Sequence, residues 1–194
     1  MADQLSIDRT RTAVLIMDYQ AEVVAGFATD QDALVQRAAQ VLTHARGAGL
    51  KVIYIVVSFR PGYPEVSPRN ARFSAVRQTG RFVAQAGSDV HPAVAPQPGD
   101  IIVAKHRVGA FAGTDLDMIL RANDIETLVL FGIATSGVVL STLRHAADAD
   151  YRVVVLKDCC SDSDPEVHRV LVDKVFPRQA TVSTAAEFLQ ALGT

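Results

Sequence analysis

The hydrophobic positions of this chain form short apolar runs that alternate with longer segments in which apolar residues recur at helical spacing. Most of the runs are continuous stretches of Val, Ile and Leu, which is typical of strands covered by helices on both faces. Strands and helices in alternation indicate repeated βα units around a parallel sheet. The pattern predicts six strands, at residues 12–18, 51–57, 101–105, 127–132, 152–157 and 180–183.

Residues that start and stop helices lie between these runs. Asp30 is a suitable N-cap for a helix that ends near residue 48, and Thr114 for one that ends near residue 123. Residues 58–72 contain three prolines and show no strong period, so we expect a long ordered loop there, with either a functional or a structural role. Further helices are predicted at residues 136–149, 165–175 and 185–192.

Composition narrows the class of partner. The chain has 194 residues, 49% of them apolar, and no long linker, so we expect one compact domain over residues 1–194. Its 19 basic and 21 acidic residues leave a formal charge of -2, with no basic excess to bind nucleic acid or an anionic membrane. A small molecule or another copy of the chain is the expected partner.

No apolar run approaches the roughly 18 residues that cross a bilayer, and no signal peptide is evident, so we expect a cytoplasmic protein.

Polar residues that could carry chemistry follow three of the predicted strands. The first strand ends in Asp18, the third ends in Lys105 and is followed by His106, and the fourth opens into residues 132–137. Ligands of open parallel sheets bind beyond the carboxyl ends of the strands, so these residues are the first candidates for a site. A carboxylate and an ammonium group held together there could serve acid–base catalysis, or they could form an ordinary ion pair that caps the sheet.

The same residues carry a resemblance to a known family. The segment AVLIMDYQ resembles the first-strand motif, hydrophobic-Asp-x-Gln, of the isochorismatase-like hydrolases. The Lys segment of that family is similar to IVAKHRVGAFAGTDLDMIL, and its nucleophile strand, elbow and helix are similar to IETLVLFGIATSGVVLSTLRHAADADYRVVVLKD. The resemblance covers residues 12–183 in the family's order and spacing. It implies a single-domain, three-layer Rossmann-like α/β fold whose six-stranded parallel sheet has the order 3-2-1-4-5-6, with helices on both faces.

The resemblance also implies site residues. The family's catalytic triad is Asp, Lys and Cys, and matching the motifs gives Asp18 the acid–base role, Lys105 the role of its cationic partner, and the nucleophile position to Val138. Valine has no lone pair, so the covalent route of the amidase members is not open at this position. A non-proline cis peptide precedes the nucleophile in the family, at the position of Ile133-Ala134 in this chain. The residues expected to bind substrate are Gln20, Arg60, Ile133, Ala134, Thr135, Ser136 and Gly137.

Other residues could replace the missing thiol. Ser136 is either a substitute nucleophile or, as its place favours, the N-cap of the following helix. Cys159 and Cys160 are adjacent, so they cannot build a disulfide framework, and we expect them beside the crevice as packing residues or as a replacement nucleophile. The long loop also holds polar residues that could bind a substrate carboxylate or lie in solvent, namely Arg60, Arg69, Asn70 and Arg72.

The sequence shows no pattern for binding a metal or cofactor. The five histidines lack ligand spacing, residues 57–60 lack the metal ligands of the nicotinamidase members, and no glycine-rich phosphate motif occurs. We therefore predict neither metal nor cofactor.

Two hypotheses of function remain. The first hypothesis is a hydrolase of a small organic molecule that acts through Asp18 and Lys105 without a covalent intermediate. Some isochorismatases also have valine at this position, so a vinyl ether of the isochorismate type is a candidate substrate. The alternative is a catalytically silent relative that binds a metabolite or serves as an assembly subunit. The resemblance further implies a homodimer or homotetramer.

Overall fold

A parallel sheet of six strands forms the centre of the computed structural model, which describes residues 5–28, 30–83, 85–87 and 89–193. The strand order is β3-β2-β1-β4-β5-β6, so the predicted topology is confirmed. The strands are β1 (Thr12–Met17), β2 (Lys51–Val57), β3 (Ile101–Lys105), β4 (Thr127–Gly132), β5 (Arg152–Leu156) and β6 (Thr181–Ser183). Three predicted strands were each one residue too long: β1 stops before Asp18, β5 stops before Lys157, and β6 begins after Ala180.

Seven α-helices cover the two faces of the sheet in the described part of the chain. They are α1 (Ala21–Phe27), α2 (Gln31–Gly47), α3 (Ala71–Thr79), α4 (Leu116–Ala122), α5 (Leu140–Asp148), α6 (Pro165–Val170) and α7 (Ala185–Ala191). A π-helical turn, Thr135–Val139, leads into α5, and a second one, Leu171–Val175, follows α6. Within the residues described, no helix combines the length and the apolar character needed to cross a membrane.

The central strands are buried along their whole length. Every residue of β1 and β4 is buried, which explains why both appear in the sequence as continuous apolar runs. The two strands end in close contact, because a Cβ atom at Gly132 would lie 2.6 Å from the carbonyl oxygen of Met17. The amide of Ile133 donates to that same oxygen at 3.1 Å. Only glycine therefore fits the end of β4, and the residues that follow β1 and β4 are brought side by side.

Helix ends follow the predicted capping in part. Asp30 accepts a hydrogen bond from the Ala33 amide at 3.3 Å, as expected of the N-cap of α2. Thr114 is not the N-cap of α4: Asp115 takes that position, and the Thr114 hydroxyl accepts from the Leu116 amide at 3.3 Å.

The region between β2 and β3 differs from the prediction. The long loop ends at Asn70, whose side chain caps α3 by accepting from the Phe73 amide at 3.1 Å. The loop is ordered around an apolar cluster of its own, formed by Val57, Phe59, Tyr63, Val66 and Phe73. Helices α1 and α3 were not predicted, because α1 has only seven residues and α3 buries a single side chain, so neither shows a clear apolar period.

Candidate active site

Asp18 and Lys105 meet at the carboxyl end of the sheet. Asp18 is the residue after β1, has a φ of 56°, and is held by a hydrogen bond of 2.8 Å from its amide to the carbonyl of Ile55. Aspartate is one of the residues that best tolerate this left-handed region. Lys105 is the last residue of β3, in register with Val57 at the end of β2. Sheet topology thus brings together two residues that are 87 positions apart in the chain.

The two side chains form a buried ion pair. Lys105 Nζ lies 2.9 Å from Asp18 Oδ2, and the side chains are 3% and 11% exposed. The Lys105 ammonium also donates to the carbonyl of Arg107 at 3.2 Å. The other carboxyl oxygen, Asp18 Oδ1, is buried and has no hydrogen-bond partner among the described residues. Burial raises the pKa of Asp18 above its ordinary value, although the charges of Lys105 and Arg72 act in the opposite direction.

A cavity of about 280 Å³ opens beside this pair. Apolar side chains from α1 and α3 form much of its wall, and Arg72 and Arg81 also border it. The residues that line it at the strand ends are Asp18, Lys105, Ile133, Ala134, Gly137 and Val138. The structure therefore places the predicted acid–base pair and most of the loop after β4 around one small and largely apolar space.

The loop after β4 is fixed by neighbours from the loop after β5. It begins with the cis peptide Ile133-Ala134, at the position predicted from the resemblance. The Thr135 amide donates to the carbonyl of Ser161 at 2.8 Å, and the Ser136 amide donates to Asp162 Oδ2 at 2.7 Å. These contacts occupy both amides, so neither is available as a backbone donor to a substrate.

Val138 borders the cavity at the position that the resemblance assigns to the nucleophile. The residue is 2% exposed and lies in the π-helical turn that leads into α5. Its isopropyl group makes this wall of the cavity apolar. No thiol borders the cavity in the described structure.

The proposed substitute nucleophiles lie elsewhere. Ser136 is exposed, does not border the cavity, and is not a cap: the N-cap position belongs to Ala134, which makes no side-chain hydrogen bond. Cys159 and Cys160 are buried and do not border the cavity, contrary to expectation. Burial raises the pKa of both thiols, that of Cys160 to about 12, which disfavours the thiolate form that acts as a nucleophile.

Besides Ser136, three residues expected to bind substrate lie outside the cavity. The Gln20 amide group is engaged with β2, because its Oε1 accepts from the Val57 amide at 2.8 Å and its Nε2 donates to the Val57 carbonyl at 3.0 Å. Arg60 is exposed and paired with Glu65, with 2.5 Å between Nη1 and Oε1. Thr135 is buried, and its hydroxyl lies 2.8 Å from Nδ1 of His168. Gln20 and Thr135 are therefore better described as supports of the site.

Arg81 borders the cavity and was missed in the sequence. Its Nε donates to Glu22 Oε2 at 2.7 Å, and its guanidinium lies 4.9 Å from the centroid of the Phe82 ring. No motif or period marks this residue, because it follows α3, which was itself not predicted. His106, a candidate from the sequence, does not border the cavity, and its Nδ1 lies 2.5 Å from the Ser58 carbonyl.

Metal ligands do not converge at this site. Across the residues that the structure describes, no group of three or more His, Cys, Asp and Glu side chains is arranged to hold a metal ion.

The chain has a parallel α/β fold with a buried Asp–Lys pair at the carboxyl edge of its sheet, and comparison with known proteins identifies the family. The Isochorismatase domain matches residues 12–187, and the chain belongs to the isochorismatase family of hydrolases. The isochorismatase family protein YwoC of Bacillus subtilis is 33% identical over 190 residues, which cover 98% of each chain. The ureidoacrylate amidohydrolase RutB of Azorhizobium caulinodans is 33% identical over 97% of this chain and 93% of its own. Among solved structures, the N-carbamoylsarcosine amidase of Thermoplasma acidophilum has a TM-score of 0.72 and 32% identity, over 90% of this chain and 96% of its own.

Proposed function

We propose that this hydrolase acts on a small organic substrate without forming a covalent intermediate, with Asp18 as the proton-transfer group and Lys105 as its cationic partner. The observation that carries the proposal is the buried Oδ1 of Asp18, which has no hydrogen-bond partner among the described residues and belongs to a side chain that borders the cavity. A buried polar atom without a partner destabilises the fold. Such an atom beside a cavity is suited to a polar group or a proton that arrives with the substrate.

The side chain of Val138 supports the non-covalent route. It borders the cavity where a nucleophile would be expected, and it has no electron pair to offer. Because neither cysteine borders the cavity and both have raised pKa values, the attacking group in this proposal is a water molecule.

A vinyl ether of the isochorismate type fits this chemistry. Burial raises the pKa of Asp18, so its carboxyl group holds a proton at a higher pH than an exposed aspartate does. That proton passes to the terminal carbon of the enolpyruvyl group, which leaves an oxocarbenium ion at the ether carbon. Water adds to this carbon and gives a proton back to the Asp18 carboxylate. The resulting hemiketal breaks down to pyruvate and an alcohol.

Two relatives are named for the cleavage of C–N bonds, which makes amides the second substrate class to test. One is the ureidoacrylate amidohydrolase and the other is the N-carbamoylsarcosine amidase. In this chain, water would have to attack such a bond directly, because Val138 cannot. We therefore expect vinyl ether hydrolysis to be faster than amide hydrolysis.

The test is a turnover screen with the purified protein. Pyruvate release is followed with isochorismate, and ammonia release with ureidoacrylate and N-carbamoylsarcosine. Asp18→Asn should lower the turnover by about 100-fold or more, since general acid–base catalysis contributes on that scale. Asp148→Asn, at an exposed position, is the control and should be unchanged. A protein that binds these compounds but converts none of them would contradict the proposal and favour a silent, metabolite-binding relative.

A further inference from the structure

A second cavity, of about 210 Å³, lies close to the loop after β4. It shares no lining residue with the proposed substrate cavity. Ser161 and His168 line it and bind Thr135 of the loop. Asp162 lines it as well and binds Ser136. Because other residues of this loop form a wall of the substrate cavity, the side chains of the second cavity can influence that wall without contact with the substrate.

Asp162 holds the loop through a charged hydrogen bond. Its Oδ2 accepts from the Ser136 amide at 2.7 Å, and the residue is buried. A hydrogen bond with an ionised acceptor is roughly twice as strong as a neutral one. Ser136 directly precedes Gly137 and Val138, which border the substrate cavity. A displaced Ser136 amide therefore moves the wall that a bound substrate contacts.

His168 holds the same loop from α6. Its Nδ1 lies 2.8 Å from the hydroxyl of Thr135, which is fully buried and has no other hydrogen-bond partner in the described part of the chain. The hydroxyl proton therefore has an acceptor only while Nδ1 is unprotonated. Protonated histidine has donors at both ring nitrogens, so it leaves that buried proton without a partner. The contact between His168 and the loop thus weakens when His168 takes up a proton.

The surroundings of His168 decide when this happens. Burial lowers the pKa of His168, and the charges of Asp162 and Asp173 act in the opposite direction. The contact with Thr135 therefore persists at neutral pH and weakens as the pH falls below about 6.5, the ordinary pKa of histidine. Other charged groups near His168 are Arg37, Lys157 and Asp158, which border the same cavity, and Glu166 and Arg169, which pair with each other on its own helix.

We propose that Asp162 and His168 are positioning residues, which hold the loop after β4 in the shape that the proposed reaction requires without touching the substrate. This inference rests on the proposed function of the cavity beside Asp18. A misplacement of about 1 Å can lower a rate by about 100-fold, so a loosened loop should slow turnover even where the substrate still binds.

The inference gives the reaction an acid limb that Asp18 does not produce. Asp18 has to be protonated, so by itself it makes the rate rise and then level off as the pH falls. His168 instead loses its hold on Thr135 as the pH falls, so the rate should decline again in the acid range. Variants of His168 decide whether this residue causes the decline.

Pyruvate release from isochorismate, measured from about pH 5 to pH 9, is the kinetic test. His168→Asn places an amide oxygen near the position of Nδ1 but does not titrate, so it should remain active and lose the acid limb. His168→Leu removes the acceptor and should lower kcat by about 10-fold or more at every pH, with KM within about 3-fold of the wild type. Asp173→Asn, at an exposed position with no hydrogen bond to the loop, is the control and should keep the limb, shifted to lower pH.

Hydrogen exchange followed by NMR measures the contacts without any substrate. Asp162→Ala should speed exchange of the Ser136 amide by about 10-fold or more, the scale of one lost hydrogen bond, and Asp162→Asn, which keeps an oxygen acceptor, should speed it less. His168→Leu should speed exchange of the adjacent Thr135 amide. Val129 in the central strand β4 is the reference, because a protein that is destabilised as a whole exchanges there faster as well.

An acid limb that persists in His168→Asn, or a wild-type profile without an acid limb, would overturn the role of His168. An unchanged exchange rate of Ser136 relative to Val129 in Asp162→Ala would overturn the role of Asp162. A wild-type protein that releases no pyruvate would count against the proposed reaction alone, because the exchange ratios still decide whether the two residues hold the loop.

Discussion

Replacing Lys105 by methionine should reveal the energetic cost of the buried Asp18 carboxylate. Methionine keeps most of the aliphatic stem and removes the charge, so packing changes little. Asp18 then loses the ammonium 2.9 Å from Oδ2, and its Oδ1 already lacks a hydrogen-bond partner in the described structure. The variant thus leaves an almost fully buried carboxyl group with no compensating cation in contact.

The expected loss can be worked out from this geometry. At 2.9 Å, two unit charges attract by about 6 kcal/mol with an effective dielectric constant of about 20, and desolvation offsets much of this. Breaking a buried pair by removing one partner typically costs roughly 3–5 kcal/mol. Asp18 can escape part of that cost by taking up a proton, so we expect a loss of about 3 kcal/mol at pH 8, equivalent to a drop in Tm of about 6–12 °C.

The loss should depend on pH. The folded-state pKa of Asp18 is raised, so the folded state binds the proton more tightly than the unfolded chain does. The free energy of unfolding therefore falls as the pH rises through the folded-state pKa. Removing Lys105 raises this pKa further, so the destabilisation should be smaller at pH 5 than at pH 8.

Urea denaturation of a double-mutant cycle measures the effect. The variants are Lys105→Met, Asp18→Asn and the double mutant, with Lys51→Met as a control at an exposed position that should change stability by less than about 0.5 kcal/mol. The double mutant should recover at least about half of the loss seen in Lys105→Met, because no buried charge remains. A double mutant as unstable as Lys105→Met, with no dependence on pH, would refute the argument.

Three further predictions concern the surroundings of this pair. Val138→Cys should add a thiol that iodoacetamide alkylates at least about 10-fold faster than Cys159 or Cys160. A thiolate is favoured near a helix start, whereas the two native thiols have raised pKa values. Peptide mass spectrometry measures the three alkylation rates. Burial lowers the pKa of His168, so the free energy of unfolding should fall as the pH drops below about 6.5. In His168→Gln the free energy of unfolding should depend less on pH over this range, as measured by urea denaturation at several pH values. Gln20→Leu should cost about 2–4 kcal/mol of stability in the same assay, because it leaves buried backbone groups of β2 without partners, and an unchanged stability would contradict that role.

The sheet could be predicted because its signals are local. The central strands β1 and β4 are apolar runs that are buried along their whole length, and the loops around the runs carry recognisable turn and cap residues. Helix α3 escaped prediction because it is stabilised by contacts made elsewhere in the chain. Its buried side chain, Phe73, packs against Phe59 and Tyr63 from the loop, and no period within the helix reveals this.

The site could be predicted only where a strand end carries it. Asp18 and Lys105 follow from sheet topology, since the ends of β1 and β3 lie on the same edge. Gln20 and Arg60 were expected to bind substrate but lie outside the cavity. The sequence does not show that the Gln20 side chain is hydrogen-bonded to the backbone of Val57, or that Arg60 is paired with Glu65. Arg81 reaches the cavity from the segment after α3, where only the tertiary structure indicates which side chains face inward.

The central claim is that Asp18 carries the reaction and that the position of Val138 supplies no nucleophile. The most direct test is the kcat/KM for pyruvate release from isochorismate by Asp18→Asn and Val138→Ala, each verified as folded by circular dichroism. We predict a loss of about 100-fold or more for Asp18→Asn and a change of less than about 10-fold for Val138→Ala. An Asp18→Asn protein that keeps wild-type turnover would contradict this account.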